Sequence, residues 1–231
     1  MSGRGGRRPL EAMLRASPES DEGVVFVSRS VWEFIEERRA RHNVLEHPFY
    51  VRWSAGELSR GELARYAGQY RHATEALARL CRETADVAPE PRREEIAAHA
   101  AEEESHIGLW DGFVEAVGGE IGAEPTPETA ECVTAWTSPD GYLTQLARMY
   151  AIESGQPEIA RVKRDGLDRF YAISGGAGNR YFRVHEETDH AHAAEVRRLI
   201  EEKMTPEDED ALVVAAESAF RANWRLLDGV S

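Results

Sequence analysis

Apolar positions recur at helical spacing along nearly the whole chain, and the strict alternation of a half-buried strand is almost absent. Val24–Val27 is the one short β-like run. Ser30 is placed to cap a helix through VWEFIEERRARH to about His42. Ser59 opens a second, with Glu62 three residues on completing a capping box, and Leu63, Tyr66, Tyr70, Leu77 and Leu80 carry it to about Ala85. The segment VAPEPR breaks it, and a third helix is predicted from about Arg92 to Val117, stopping at Gly118-Gly119. After the Pro/Thr-rich GAEPTPE comes a short helix from about Glu128 to Trp136, and Ser138-Pro139-Asp140-Gly141 makes a turn. Two more helices are expected, Tyr142 to Ser154 and Glu158 to Tyr171, separated by Gly155 and Pro157. Beyond GGAGN a long helix spans about Arg180 to Lys203, and Thr205-Pro206 starts the last, to about Leu227. There is no internal repeat and no heptad run, so the pattern predicts an all-α bundle of about seven or eight helices.

A length of 231 residues suits one domain with a sizeable core, expected over 23–231 behind a disordered N-terminal tail reaching Glu22. The opening MSGRGGRRPLEAML has arginines but no apolar stretch after them, and does not read as a secretory signal. No apolar run approaches the roughly 18 residues that a membrane span needs. A net charge of −14 disfavours nucleic acid and anionic lipid as partners. Cys81 and Cys132 stand far apart in no metal-type spacing, which fits a reducing cytoplasm better than a disulfide framework. Arginine outnumbers lysine 26 to 2, which makes Lys163 conspicuous.

Candidate chemistry begins in the long C-terminal helix. At roughly 100° per residue, Asp189 lies about 40° and His192 about 20° in rotation from His185, so all three project from one face. Two imidazoles and a carboxylate on one face suit a transition metal such as iron, manganese or zinc. On its own such a block is weak evidence, because acids and histidines on helices are usually solvated; His190, on another side, is expected at the surface. Glu153 strengthens it, since it closes the mostly apolar MYAIES, and a buried carboxylate needs a cation or a proton. The third helix adds His106, with Glu103 three residues back, Glu102 four back and His99 seven back on the same side. At least one glutamate of Glu102–Glu104 is expected to be solvated.

On these residues the chain resembles the heme-oxygenase-like family that includes TenA and PqqC, and in particular its CADD-like branch. The segments HPFYVRWSAGELSRGELARYAGQYRHA, HIGLWDGFVEAVGG, ESGQPEIARVKRDGLDRFYAI and YFRVHEETDHAHAAEVRRLIEE carry the resemblance, over about residues 40–225. Members of that branch are di-iron oxidases with a Glu, His, Glu, His, Asp, His ligand set. The resemblance therefore implies two iron ions (or an iron–manganese pair), O2 as co-substrate, an external electron donor and a homodimer. Carried over, the ligands are His106, Glu153, His185, Asp189 and His192. The first glutamate commonly precedes its histidine by seven residues, where this chain has His99. Either His99 replaces it or one of Glu102–Glu104 takes the role, with Glu103 favoured because it shares the face of His106. The resemblance also implies synthesis of p-aminobenzoate, a folate precursor, from one of the protein's own tyrosines. Tyr50 in HPFYVRW matches that tyrosine, Tyr66 and Tyr181 match other pocket tyrosines, and Lys163 matches the lysine that donates nitrogen. A further pocket tyrosine is replaced here by Ile152.

Two other functions compete with this one. The same iron centre could oxidise an external small molecule such as an amino acid or fatty acid, since fold does not fix substrate. A metal-free PqqC- or TenA-like protein is the third reading. A TenA-type thiaminase needs a nucleophilic cysteine beside a glutamate, and both cysteines are expected away from Glu153.

Overall fold

The computed structural model describes residues 29–231. The Val24–Val27 run and the predicted tail lie outside the described residues. Within them the chain forms α1 (Val31–Arg41), α2 (Pro48–Ala55), α3 (Arg60–Val87), α4 (Glu90–Val117), α5 (Pro127–Trp136), α6 (Tyr142–Glu153), α7 (Gln156–Phe170), α8 (Ala177–Glu201) and α9 (Glu209–Asp228). Short 3-10 turns at Val44–Glu46 and Pro206–Asp208 precede α2 and α9, and no strand occurs among the described residues. The all-α expectation holds, with helix starts at or a few residues from where the local signals put them. Ser30 and Ser59 cap α1 and α3 in reciprocal capping boxes with Glu33 and Glu62. Proline stands in the first turn of α2, α4, α5 and α7, where its missing N–H costs nothing.

α2 was not anticipated as a separate helix. Its sequence PFYVRWSA is too short and too evenly apolar to show a period. Before it, the His47 ring accepts a hydrogen bond from the Phe49 N–H at 3.1 Å and approaches Asp228 of α9 at 3.1 Å. The Trp53 indole N–H then donates to the carbonyl of Lys163 on α7 at 3.1 Å, which fastens α2 across the bundle.

The chain turns at Ala88-Pro89, so α3 and α4 pack against each other as a hairpin, and α4 and α7 both lie against α8. α9 packs on α5, α6 and α1. Gly178 lets α8 come close to α4: a Cβ there would lie 2.6 Å from the Ala116 side chain. The inner faces of α3, α4, α6 and α8 meet at the centre, and the chemistry collects there.

Candidate metal centre

α4 presents His99, Glu103 and His106 to α8, which presents His185, Asp189 and His192, while Glu153 enters from the last turn of α6. All are buried except His192, which is partly buried. Glu103 stands between the two helices. Its carboxylate oxygens lie 3.2 Å from His106 Nδ1, 4.0 Å from His185 Nε2, 4.0 Å from His192 Nδ1 and 3.9 Å from His99 Nε2. Glu153 Oε1 is 2.9 Å from His99 Nε2, and Asp189 Oδ1 is 3.8 Å from His192 Nδ1. The other glutamates of the acidic run go elsewhere. Glu104 is exposed and pairs with Arg82 at 3.1 Å, and Glu102 is half-exposed at the rim, 3.3 Å from His192.

Buried polar atoms are almost always hydrogen-bonded. Here, among the described residues, His99 Nε2, Glu103 Oε1, His106 Nδ1, both Glu153 oxygens, His185 Nε2 and His192 Nδ1 have no hydrogen-bond partner, close as they stand. The Nδ1–H of His185 donates to the Tyr181 carbonyl at 2.9 Å, since a carbonyl only accepts, which leaves Nε2 as the ring nitrogen facing the cluster. Unpartnered carboxylate and imidazole donors converging on one buried place fit a transition-metal site. Burial alone would raise the Glu103 carboxyl, but His106 and His185 beside it hold it well below the usual carboxylate range. Burial, helped by the Glu153 and Glu103 charges, pushes Asp189 well above that range. Burial lowers the His99 imidazole, but Glu153 and Glu103 outweigh it and bring it to about 9.

Beside this cluster is an aromatic cage. Tyr50 and Tyr66 share a hydrogen bond between their hydroxyls at 2.8 Å, and both are fully buried. Lys163, 1% exposed, reaches in from α7. Its Nζ lies 4.6 Å from the Tyr70 ring centre, 5.3 Å from Tyr50, 5.4 Å from Tyr66, 5.6 Å from Trp110 and 5.7 Å from Phe182. Burial lowers its ammonium pKa from 10.5 to about 7. Tyr181 joins cage to cluster: it stacks on His185 with ring centres 3.8 Å apart and meets Trp110 edge-on at 4.8 Å. Ile152 is buried at the end of α6.

Sequence reasoning misplaced Cys81. It was expected away from Glu153, but α3 turns it inward, and its sulfur lies within 4.8 Å of ligand atoms of both His99 and Glu153. Burial and the neighbouring Glu153 and Glu103 charges push its thiol well above its ordinary range, so it is held as a neutral thiol, not a nucleophile. Tyr70 and Trp110 were read only as apolar positions. The spacing of Tyr66 and Tyr70, four apart on α3, was the available signal for the cage.

An all-helical bundle enclosing carboxylates and imidazoles defines a class of redox protein that holds a metal between helices. The chain belongs to the heme-oxygenase-like family of iron-containing redox enzymes, which it matches over residues 64–224, and it is an oxidoreductase of that family. It is 31% identical over 216 residues to the 4-aminobenzoate synthase of Nitrosomonas europaea, covering 83% of this chain and 87% of that one. It is 30% identical over 222 residues to the 4-aminobenzoate synthase of Chlamydia muridarum, covering 91% and 94%. Among solved structures, a TenA homologue from P. horikoshii superposes with a TM-score of 0.73 at 14% identity, covering 87% of this chain and 98% of that one. A CADD-like protein from Nostoc punctiforme superposes at 0.67 and 16% identity, covering 87% and 100%. These two likenesses establish the fold. No helix among the described residues is long and apolar enough to cross a membrane.

Proposed function

We propose that the chain is an O2-using, non-heme di-iron oxidase that makes 4-aminobenzoate from its own Tyr50, with nitrogen from Lys163. The carrying observation is the enclosure of Tyr50 and Lys163 in one cage, each 1% exposed, with the Lys163 amine 5.3 Å from the Tyr50 ring. A reactant that is part of the chain needs no entrance. The relatives' names support the product. Glu103, His106, Glu153, His185, Asp189 and His192 would hold the iron pair, and three buried carboxylates offset most of the charge of two divalent ions. The bound iron supplies the oxidising power drawn from O2, with further electrons from an external donor.

The chain's own residues supply placement. Tyr181 and Trp110 form a contiguous aromatic path from His185 to the cage, with Trp110 5.9 Å from Tyr66 and Tyr66 6.1 Å from Tyr50. The Tyr66 hydroxyl fixes the Tyr50 oxygen. Lys163, without a carboxylate in its cage, is neutral often enough near pH 7 to act as a nucleophile. Oxidation of an external small molecule is the second reading, favoured by a cavity of about 260 Å³ beside α1, α6, α7 and α9 that touches Ile152, next to Glu153. Neither Tyr50 nor Lys163 lines that cavity, which supports the first reading. The metal-free alternative leaves the unpartnered donors without a counterpart. Purified protein given Fe(II), O2 and reductant, with no added substrate, is expected to release 4-aminobenzoate, measured by mass spectrometry. Tyr50→Phe should release none, and an unchanged yield from that variant overturns self-consumption.

A further inference from the structure

α4 and α8 carry the same pattern in the same register. His99-x3-Glu103-x2-His106 on α4 matches His185-x3-Asp189-x2-His192 on α8. The two copies meet head to tail. His106 faces His185 with ring centres 4.6 Å apart, and His99 faces His192 at 4.3 Å. The cluster thus has a local pseudo-twofold, with an imidazole pair at each end and Glu103 and Asp189 in the middle of their helices.

We propose that His99 is a metal ligand of this chain in addition to Glu103, so that the iron pair is held as two distinct positions. One is formed by His106 and His185, the other by His99, His192 and Glu153, with the Glu103 carboxylate between them and Asp189, midway along α8, completing the set. The inference rests on the iron reading above and extends its ligand set to a seventh side chain.

Three observations carry it beyond the repeated pattern. Donor atoms of Glu103, His106 and His185 lie within 4.8 Å of one another, and so do those of His99, Glu103 and His192, so Glu103 belongs to both groups. The His99 side chain is buried, and its Nε2 has no hydrogen-bond partner although Glu153 Oε1 lies 2.9 Å away. His99 and His192 also bring two imidazoles together, ring centres 4.3 Å apart and tilted by 37°, with the Glu153 and Glu103 carboxylates beside them. Each position then has two histidines and at least one carboxylate, a donor set suited to ferrous iron. His99 thus adds an imidazole to the site while Glu103, one turn later on α4, supplies the carboxylate.

The test is metal content and affinity, measured by elemental analysis and by anaerobic Fe(II) titration of the full chain. The variants are His99→Gln, His106→Gln, the double variant and His99→Glu, each checked for helicity. Wild type should hold about two irons per chain, each single glutamine variant about one, the double variant none, and His99→Glu about two again. Loss of a direct ligand should weaken one equivalent by more than the ~10–100-fold typical of an outer-shell contact and leave the other in place. His99→Gln binding two irons with wild-type affinity overturns the proposal. So does His99→Gln weakening both equivalents alike, which marks a merely structural role. Wild-type protein that takes up no iron overturns the iron reading itself.

Discussion

Replacing Lys163 by methionine isolates the energy of placing a cation inside the cage. Methionine keeps an unbranched apolar stem and removes the charge. In the folded chain burial brings the amine from its ordinary 10.5 to about 7. At about 1.4 kcal/mol per pH unit, the folded state then disfavours the protonated amine by about 5 kcal/mol. The rings of Tyr50, Tyr66, Tyr70, Trp110 and Phe182 lie 4.6–5.7 Å from Nζ and attract the cation. The sign follows from proton counting. Between about pH 7 and 10.5 the unfolded chain keeps the Lys163 proton and the folded chain releases it, so stability rises with pH across that window. Below about pH 7 both states are protonated and the handicap is constant. Lys163→Met should therefore be more stable than wild type by about 5 kcal/mol near pH 6, with the gap shrinking to about 1 kcal/mol or less by pH 10. Urea unfolding of both proteins, equally loaded with metal, at several pH values measures the gap, and other titrating groups cancel in the difference. A gap that does not change with pH, or a wild type more stable at low pH, refutes the argument.

Two further outcomes are expected. Single-turnover 4-aminobenzoate yield should rise as pH passes upward through about 7, because only the neutral Lys163 amine is a nucleophile; rapid quench at fixed iron loading measures it, and a yield that falls over that range contradicts the role. Gly166→Ala on α7 would put a Cβ 2.6 Å from the Trp53 ring, a buried group with no room to retreat. It should destabilise the fold by about 1–3 kcal/mol in thermal or urea unfolding, and an unchanged midpoint refutes the packing account.

The long helices were readable because their signals are local. The Ser30–Glu33 and Ser59–Glu62 boxes, the prolines and Gly118 act within a turn of where they stand. α2 was unreadable for the opposite reason. Its side chains are held by partners far along the chain, with Trp53 bonded to Lys163 and His47 set against Asp228. The C-terminal group of candidate ligands was legible because His185, Asp189 and His192 share one helix face. That His99 and His106 would each meet one of its histidines depends on the approach of α4 to α8, which Gly178 permits and no spacing within α4 reveals.

The cage marks the limit of such reading. Tyr66 and Tyr70 at i and i+4, with Trp110 on the next helix, look the same in sequence whether they line a core or a reaction chamber. What separates the two is a charge-bearing atom placed among the rings, and Lys163 comes from α7, remote in sequence from α3 and α4. Its scarcity in an arginine-rich chain drew attention to it, but composition does not say that an amphipathic-looking lysine points inward. The fold decides that. α2 packs its aromatic face on α7, and the Trp53 bond to the Lys163 carbonyl ties that backbone beside the ring the side chain must reach. The group that sequence reasoning could not orient is thus positioned by the helix it could not see.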